Sequence, residues 1–252
     1  MHEKAVFDPM TRPKSDRIVT ATQAFRPKDY ARAFEYTPPP TRLLPDQSGC
    51  IYQDEHIWVV SKPAGLLSVD GKADHHKDSL AARMSALDPD ARIVHRLDMA
   101  TSGLIVFARN ANALRHIGLQ FEKRHIEKRY IARVAGQVKH DRGTIEGAMI
   151  CDWPRRPIQM IDPENGRKAV THWEVISREK ASTLLALTPI TGRSHQLRVH
   201  MLYLGHPILG DRLYADDDAY NGAPRLCLHA ETLSLFHPIG GERMSFTSPC
   251  PF

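Results

Sequence analysis

Three segments of this chain carry polar and charged side chains that a hydrophobic core does not need. They are His95-Arg96-Leu97-Asp98 with Thr101-Ser102-Gly103, Glu127-Lys128-Arg129-Tyr130-Ile131-Ala132, and Thr191-Gly192-Arg193-Ser194-His195-Gln196-Leu197-Arg198-Val199-His200. The third segment brings two arginines, a glutamine and two histidines into a predicted helix start. Because backbone N–H groups at a helix N-terminus already favour phosphate, this density indicates anion binding.

Each segment also has a purely structural interpretation. Asp98 and Thr101 have the spacing of a turn cap, and Asp98 would equally suit a surface salt bridge. A tyrosine at the start of a strand, such as Tyr130, is usually half-buried packing. His195 and His200 are five residues apart and fall on different helix faces, so no metal site is expected there. Taken one at a time, the segments do not decide between structure and chemistry.

The elements that would position these segments follow from the spacing of apolar residues. Strands are predicted at 57–60, 93–94, 104–107, 130–134, 169–176, 183–187, 226–228 and 244–246, and helices at 78–87, 110–121 and 195–204. The order is irregular, and no GxGxxG or Walker loop occurs. We therefore expect an α+β fold, in which a mixed and mainly antiparallel β-sheet is flanked by helices and loops.

The composition narrows the class of protein. The chain has 252 residues, of which 42% are hydrophobic and 25% charged, as in ordinary globular proteins. No apolar run approaches the roughly 18 residues of a membrane helix, and the charged N-terminus does not fit a secretory signal, so we expect a cytoplasmic protein without a membrane partner. The net charge of +5 is compatible with a nucleic-acid partner. Four isolated cysteines indicate neither a disulfide framework nor a zinc site.

In combination, these segments resemble the motifs of the RluA family of pseudouridine synthases. The matching stretches are SKPAGLLSV (61–69), HRLDMATSGL (95–104), EKRYIARV (127–134), TGRSHQLRVHM (191–201) and LGHPILGDRLYA (204–215). The resemblance extends from about Ile51 to Phe252, and 150–157 and 226–246 are most similar to the dual-specificity members that act on rRNA and tRNA. It implies the pseudouridine synthase fold, without the S4 RNA-binding domain of larger family members.

The resemblance implies isomerisation of uridine to pseudouridine in structured RNA loops. It points to the anticodon stem-loop of tRNA at uridine 32 and to 23S rRNA at uridine 746 as substrates. An isomerisation neither oxidises nor adds anything, so no cofactor and no metal are expected. We further expect a monomer with no obligate protein partner.

The resemblance also assigns roles to individual residues. Asp98 matches the catalytic aspartate, Arg198 the arginine that pairs with it, and Tyr130 the tyrosine that packs on the flipped base. Arg96 would fill the space that this base leaves or would bind a phosphate. The remaining candidate RNA contacts are Lys62, Trp153, Arg155, Arg156, Arg193, His195 and Gln196. For Trp153, core packing is an equally good interpretation.

Residues 1–48 differ in composition from the rest of the chain. They contain seven of the 18 prolines, including Pro38-Pro39-Pro40, and eight lysines or arginines against six acidic residues. Such a composition favours an extended, unpacked backbone. We expect a flexible proline-rich arm at 1–48 and a catalytic domain at 49–252 that folds and works without it. The arm is either a tolerated extension or a contact with RNA.

Three other functions compete with this interpretation. A nucleosidase would also break an N-glycosidic bond, but it would need a second carboxylate as acid or base. A non-catalytic RNA-binding protein would have no use for the complete set of Asp98, Tyr130 and Arg198. A synthase of the same family with a different rRNA uridine as its target is the third possibility.

Overall fold

The computed structural model describes residues 17–39 and 49–252. The strands are β1 (Arg17–Thr20), β2 (Cys50–Gln53), β3 (Ile57–Lys62), β4 (Arg92–Ile93), β5 (Ser102–Ala108), β6 (Glu127–Ala135), β7 (Arg142–Cys151), β8 (Gln159–Ile161), β9 (Arg167–Arg178), β10 (Ser182–Pro189), β11 (Leu228–Phe236) and β12 (Arg243–Thr247). The helices are α1 (Leu80–Leu87), α2 (Ala111–Glu122), α3 (Gln196–Tyr203) and α4 (Asp217–Asn221), with 3₁₀ turns at Asp74–His76 and Trp153–Arg155. Within these residues, no helix is long and apolar enough to cross a membrane.

All twelve strands of the described residues join one mixed sheet. Its main path is β1-β7-β9-β10-β6-β11-β5-β3-β2, with β12 paired to β11, β4 to β5 and β8 to β7. The β1–β7 and β11–β5 pairs are parallel, and the other pairs are antiparallel. The predicted α+β class with a mainly antiparallel sheet is confirmed.

Local signals explain where the helices begin. The Ser79 hydroxyl accepts a hydrogen bond from the N–H of Ala82 (3.1 Å) and caps α1. The Asn110 side chain caps α2 in the same way through Ala113 (2.9 Å). Both caps and both helices were predicted from the sequence, because a cap and its apolar face lie within one short segment.

β7 (Arg142–Cys151) is the longest strand that the sequence analysis missed, and the predicted strand at 226–228 meets β11 (Leu228–Phe236) only at Leu228. β7 contains Gly143 and Gly147, which weaken a strand signal, and its apolar run Ala148-Met149-Ile150-Cys151 is confined to its end. It forms because eight residues, from Arg142 to Met149, pair with β9. Tertiary pairing rather than local propensity determines this element.

The described part of the predicted arm, residues 17–39, is not unpacked. β1 pairs with residues 143–146 of β7, and the N–H and carbonyl of Phe25 both hydrogen-bond to Ile161 (2.8 and 3.0 Å). Tyr36 is buried. The prediction of a flexible arm therefore fails for residues 17–39, because hydrogen-bonding partners on the domain satisfy its backbone. The rest of the predicted arm, 1–16 and 40–48, lies outside the described residues.

Candidate active site

A cavity of about 890 Å³ brings the three polar segments together. Residues 93–99, Tyr130 on β6 and residues 191–198 at the start of α3 all line it. Its volume falls in the range of ordinary ligand sites. Among the described residues, Asp98 is the only carboxylate in the lining, so a second carboxylate of the kind a nucleosidase needs is not found there.

Hydrogen bonds from residues 62–68 fix the loop that carries Asp98. The Nζ of Lys62 donates hydrogen bonds to the carbonyls of Pro63, Leu66 and Met99 (2.8, 2.8 and 3.0 Å). The Ser68 hydroxyl donates to the carbonyl of Leu97 (2.6 Å) and accepts from the N–H of Leu97 (3.1 Å). These bonds fix the backbone on both sides of Asp98.

Gly103 allows this loop to approach β11 closely. Its φ is +113°, and a Cβ there would lie 2.2 Å from the carbonyl oxygen of Ala230. Any other residue would clash with the neighbouring strand and strain the backbone. Close packing against β11 therefore requires a glycine at position 103. This packing fixes the end of the loop that carries Asp98.

Arg198 is the cation beside Asp98, but its main partner is a different carboxylate. Its Nε and Nη2 donate to the two oxygens of Asp211 at 2.7 and 2.6 Å, and its Nη1 lies 3.4 Å from Asp98. Arg198 and Asp211 are both buried, with side chains 4% and 1% exposed, whereas Asp98 is 26% exposed. The bidentate pair fixes the guanidinium so that one edge remains for Asp98.

His195 completes the polar surface around Asp98. Its backbone is left-handed (φ 54°), which turns the side chain toward the cavity at the start of α3. Its Nδ1 shares a hydrogen bond of 2.6 Å with the hydroxyl of Tyr214, and its Nε2 is 3.9 Å from Asp98. Because the Tyr214 hydroxyl already accepts from the N–H of Gln159 (2.9 Å), its own proton is available for Nδ1 of His195.

The local charges keep Asp98 ionised. Burial alone would raise the pKa of the Asp98 carboxyl, but His195, Arg198 and Lys62 hold that pKa below its usual value. Burial lowers the pKa of His195 to about 4, so this imidazole is uncharged at neutral pH. Arg198 is therefore the dominant cation for Asp98 under those conditions. The alternative of Asp98 as a turn cap or surface salt bridge does not fit this geometry.

Tyr130 lies on the central strand β6, opposite Ala230 of β11 and Leu187 of β10. It is half-buried and lines the cavity. Burial, and secondarily the charge of Asp98, raises the pKa of its hydroxyl. The phenol is therefore protonated at neutral pH.

Two predicted RNA contacts have structural partners instead. Lys62 is 1% exposed, and three carbonyls occupy its three N–H donors, so it is not placed to bind a phosphate. Burial lowers its pKa to about 7. The buried amide of Gln196 bonds to Thr191, to the N–H of Arg193, to the carbonyl of Val170 and to Thr171. Some polar residues of these segments therefore stabilise the loops of the site by internal hydrogen bonds, and do not bind the substrate.

Of the remaining predicted contacts, Arg96 and Arg193 line the cavity, and residues 153–156 directly precede the lining residue Pro157. Arg96 is exposed, and Arg193 is half-buried with its Nε donating to the carbonyl of Lys168 (3.2 Å). Trp153 is 65% exposed, which excludes core packing, and the guanidinium of Arg156 lies 4.7 Å from its ring centroid. We call Arg96, Trp153, Arg156 and Arg193 the rim. Arg155 is drawn away from it by ion pairing with Asp152.

Asp211 and Tyr214, the hydrogen-bond partners of Arg198 and His195, are residues that the sequence analysis did not single out. Both lie in the matched stretch at 204–215, and both are polar residues that the structure buries. The signal that was available is their place in a stretch that matches the family's motifs. Among the described residues, no group of three or more His, Cys, Asp and Glu is arranged to hold a metal.

Comparison with known proteins identifies the family. Residues 56–203 match the model of the RNA pseudouridylate synthase family. The chain is 52% identical over 203 residues to the dual-specificity RNA pseudouridine synthase RluA of Escherichia coli K12, covering 80% of this chain and 93% of that protein. It is 49% identical over 219 residues to the protein of the same name from Haemophilus influenzae, covering 86% and 98%.

Solved structures agree with the sequence comparison. Human RNA pseudouridylate synthase domain containing 1 superimposes with a TM-score of 0.69 at 29% identity, covering 81% of this chain and 84% of that one. Human RNA pseudouridylate synthase domain containing 4 gives 0.67 at 26% identity, covering 81% and 89%. The chain therefore belongs to the RluA family of pseudouridine synthases and is an enzyme that isomerises uridine in RNA.

Proposed function

We propose that this enzyme modifies uridine 32 in the anticodon stem-loop of tRNA and uridine 746 in 23S rRNA, acting as a cytoplasmic monomer. The observation that carries the proposal is the cavity in which Asp98 stands beside Arg198 and Tyr130, with the exposed Arg96 and the half-buried Arg193 also in its lining. The two bacterial relatives are named dual-specificity enzymes, which supports two RNA substrates.

The reaction exchanges one bond to the ribose for another. The bond between N1 of uracil and C1′ breaks, the base turns, and C5 bonds to C1′. C5 loses a proton and N1 gains one, so atoms and electrons balance without an oxidant or reductant. The enzyme has to stabilise the detached uracil while it turns, and the ribose that has lost its glycosidic bond.

Asp98 is proposed as the catalytic carboxylate. It either attacks C1′ or stabilises the departure of uracil on a glycal route, and both need the ionised form. Arg198 keeps Asp98 ionised once bound RNA excludes water, because the interaction strengthens as the local dielectric falls. Asp211 holds Arg198 from the opposite side and prevents it from turning away.

Tyr130 is proposed to pack against the flipped base. Its position on the central strand makes it a rigid surface, and its protonated hydroxyl is a hydrogen-bond donor. A protonated phenol is not a base in the resting enzyme. Any proton transfer by Tyr130 would follow, not precede, the arrival of the substrate.

The rim is proposed to bind the RNA around the target nucleotide. The target base must leave its stack, which costs a few kcal/mol. Arg96 stands beside Asp98 in sequence and is an exposed residue of the cavity lining, so it suits the space that the base vacates. Trp153 with Arg156 offers a stacking surface, and Arg193 a phosphate contact. The shape of a flexed RNA loop would then decide the choice of substrate.

The test uses RNA from cells in which the gene is deleted, where every target of this enzyme is unmodified. That RNA is incubated with the purified protein, and pseudouridine is mapped by carbodiimide treatment and primer extension. We expect new signals at tRNA position 32 and at 23S position 746, and none with the D98N variant. Modification only at another uridine would reject the substrate assignment and keep the reaction. Release of free uracil would instead identify a nucleosidase.

A further inference from the structure

We propose that residues 17–39 act as a strap that holds three active-site loops in the arrangement needed for catalysis. The strap begins as β1 at the edge of the sheet and passes each loop in turn. It precedes the region that matches the family model, which begins at residue 56. The proposal rests on the isomerisation reaction and not on which RNA is the substrate.

The first anchor is the loop at 152–161, of which Pro157 and Gln159 line the cavity. Arg26 donates two hydrogen bonds to the carboxylate of the buried Asp152, at 2.7 and 2.8 Å. Arg155 of the same loop donates back to the carbonyl of Pro27 (2.9 Å). The bond from Arg26 is the largest cause that lowers the pKa of Asp152 to about 2, against the effect of burial.

The second anchor is the loop at 211–217, which holds the partners of Arg198 and His195. The N–H of Arg32 donates to the carbonyl of Arg212 (3.2 Å), and the Arg212 side chain donates to the carbonyl of Arg32 (2.9 Å). The guanidinium of Arg32 donates to the carbonyl of Ala215 (3.1 Å). These contacts fix the backbone on either side of Asp211 and Tyr214.

The third anchor is the loop at 65–79, which supports the Asp98 loop. The hydroxyl of the buried Tyr36 donates to the carbonyl of Asp78 (2.6 Å) and accepts from the N–H of Leu67 (3.3 Å). Leu67 precedes Ser68, whose hydroxyl bonds to both backbone groups of Leu97. Tyr36 of the strap is thus connected through Leu67 and Ser68 to Leu97, the residue before Asp98.

The three anchors act on the groups that set catalytic geometry. One loop forms a wall of the cavity, one places Arg198 and His195, and one places Asp98. A displacement of about 1 Å in such groups can reduce a rate by roughly 100-fold. Holding loops in place in advance also removes the entropy that ordering them would cost during the reaction.

The experiment compares full-length wild-type protein with the triple variant R26A/R32A/Y36F, which loses side-chain bonds to all three loops. The substrate is RNA from cells that lack the gene, so the assay does not depend on a chosen site. We expect the single-turnover rate at saturating enzyme to fall roughly 10- to 100-fold, with the Kd for RNA changed by less than about twofold. Amide hydrogen exchange at 66–69 and 211–217 is expected to become faster.

Two control variants change the same region without touching an anchor. R17A removes an exposed arginine from β1, and K28A removes an exposed lysine from the strap. Both should keep the wild-type rate and exchange pattern. If the triple variant does not fold, Y36F and R32A are measured singly, because each removes the side-chain bonds of the strap to one anchor. Restoration of rate by R32K would indicate positioning through the donated bond.

A folded triple variant with wild-type rate and exchange would overturn the proposal. So would a variant that only binds RNA more weakly, since the strap would then be an RNA contact. If the wild-type protein makes no pseudouridine in this RNA, the proposed function is in doubt, and the exchange measurement still decides whether the strap holds the loops.

Discussion

The active-site cavity uses arginine in opposite ways at its rim and at its floor, by which we mean Asp98, Tyr130, Arg198 and Asp211. On the floor, Arg198 is 4% exposed and is shared between Asp211 and Asp98. On the rim, Arg96 and Arg156 are exposed, and Arg156 lies over the ring of Trp153. A buried, paired cation sets the electrostatics of the reaction, whereas an exposed cation is available to phosphates. Substitutions on the floor should therefore change rate and stability, and substitutions on the rim should change affinity.

The largest effect is expected on the floor, at Asp98. D98N keeps the size of the side chain and removes the charge that both chemical routes require. We expect the single-turnover rate to fall on the order of 10⁴-fold, with RNA binding retained. D90N is the matched control, because Asp90 is exposed on a different loop. Near wild-type turnover by D98N would show that another group does the chemistry.

The contrast between the two regions is sharpest for R198A against R193A. R198A leaves Asp211 buried and unpaired, which costs roughly 3–5 kcal/mol of folding free energy, and it removes the cation beside Asp98. R193A removes one proposed phosphate contact and should act mainly on salt-dependent affinity. Urea unfolding and single-turnover rates at a temperature where both variants are folded separate the two. Equal defects, confined to affinity, would contradict the division into floor and rim.

The pH dependence of the rate reports on the floor alone. Because the pKa of Asp98 is lowered in the folded enzyme, the carboxylate stays ionised until the pH falls below its usual value. His195, with a pKa of about 4, adds no change at neutral pH. We expect a flat profile in wild type from about pH 6 down to about pH 5, below the pKa of about 7 at which Lys62 changes charge. In R198A, burial without the cation should move the acidic limb upward, which the residual activity would reveal.

A smaller effect is expected on the rim, at Trp153. W153A removes a largely exposed ring that lies beneath Arg156. Stacking of one base is worth roughly 1–3 kcal/mol, so the Kd for RNA should rise, while the rate at saturation stays the same. Stability should change by less than about 0.5 kcal/mol, since little area is buried. I239A, at another exposed apolar residue, controls for the loss of surface area. Unchanged affinity in W153A would remove it from the RNA-binding surface.

No effect is expected from chelation. The reaction is redox-neutral, and the floor already supplies an ionised carboxylate and a fixed cation, so activity should survive EDTA without added nucleotide or flavin. Folding of RNA needs magnesium, so magnesium is restored in the assay. Loss of activity that zinc restores and magnesium does not would show that a metal takes part.

Much of the floor was predictable from the sequence. Asp98, Tyr130 and Arg198 each sit in a short motif, and the glycine and polar residues that shape each loop lie within the same few positions. The caps of α1 and α2 and the strands β3, β5, β6, β9 and β10 were predicted for the same reason. Local signals suffice wherever the residues that cause a structure are neighbours in the chain.

Tertiary structure decided the partners. Asp211 is 13 positions from Arg198, Tyr214 is 19 positions from His195, and Arg26 is 126 positions from Asp152. A hydrogen bond or ion pair depends on where two side chains meet, and no periodicity in one segment encodes the position of the other. For that reason Lys62 and Gln196 resembled RNA contacts in the sequence but serve as internal supports. For the same reason residues 17–39, which have the composition of a loose arm, are ordered by the loops they cross.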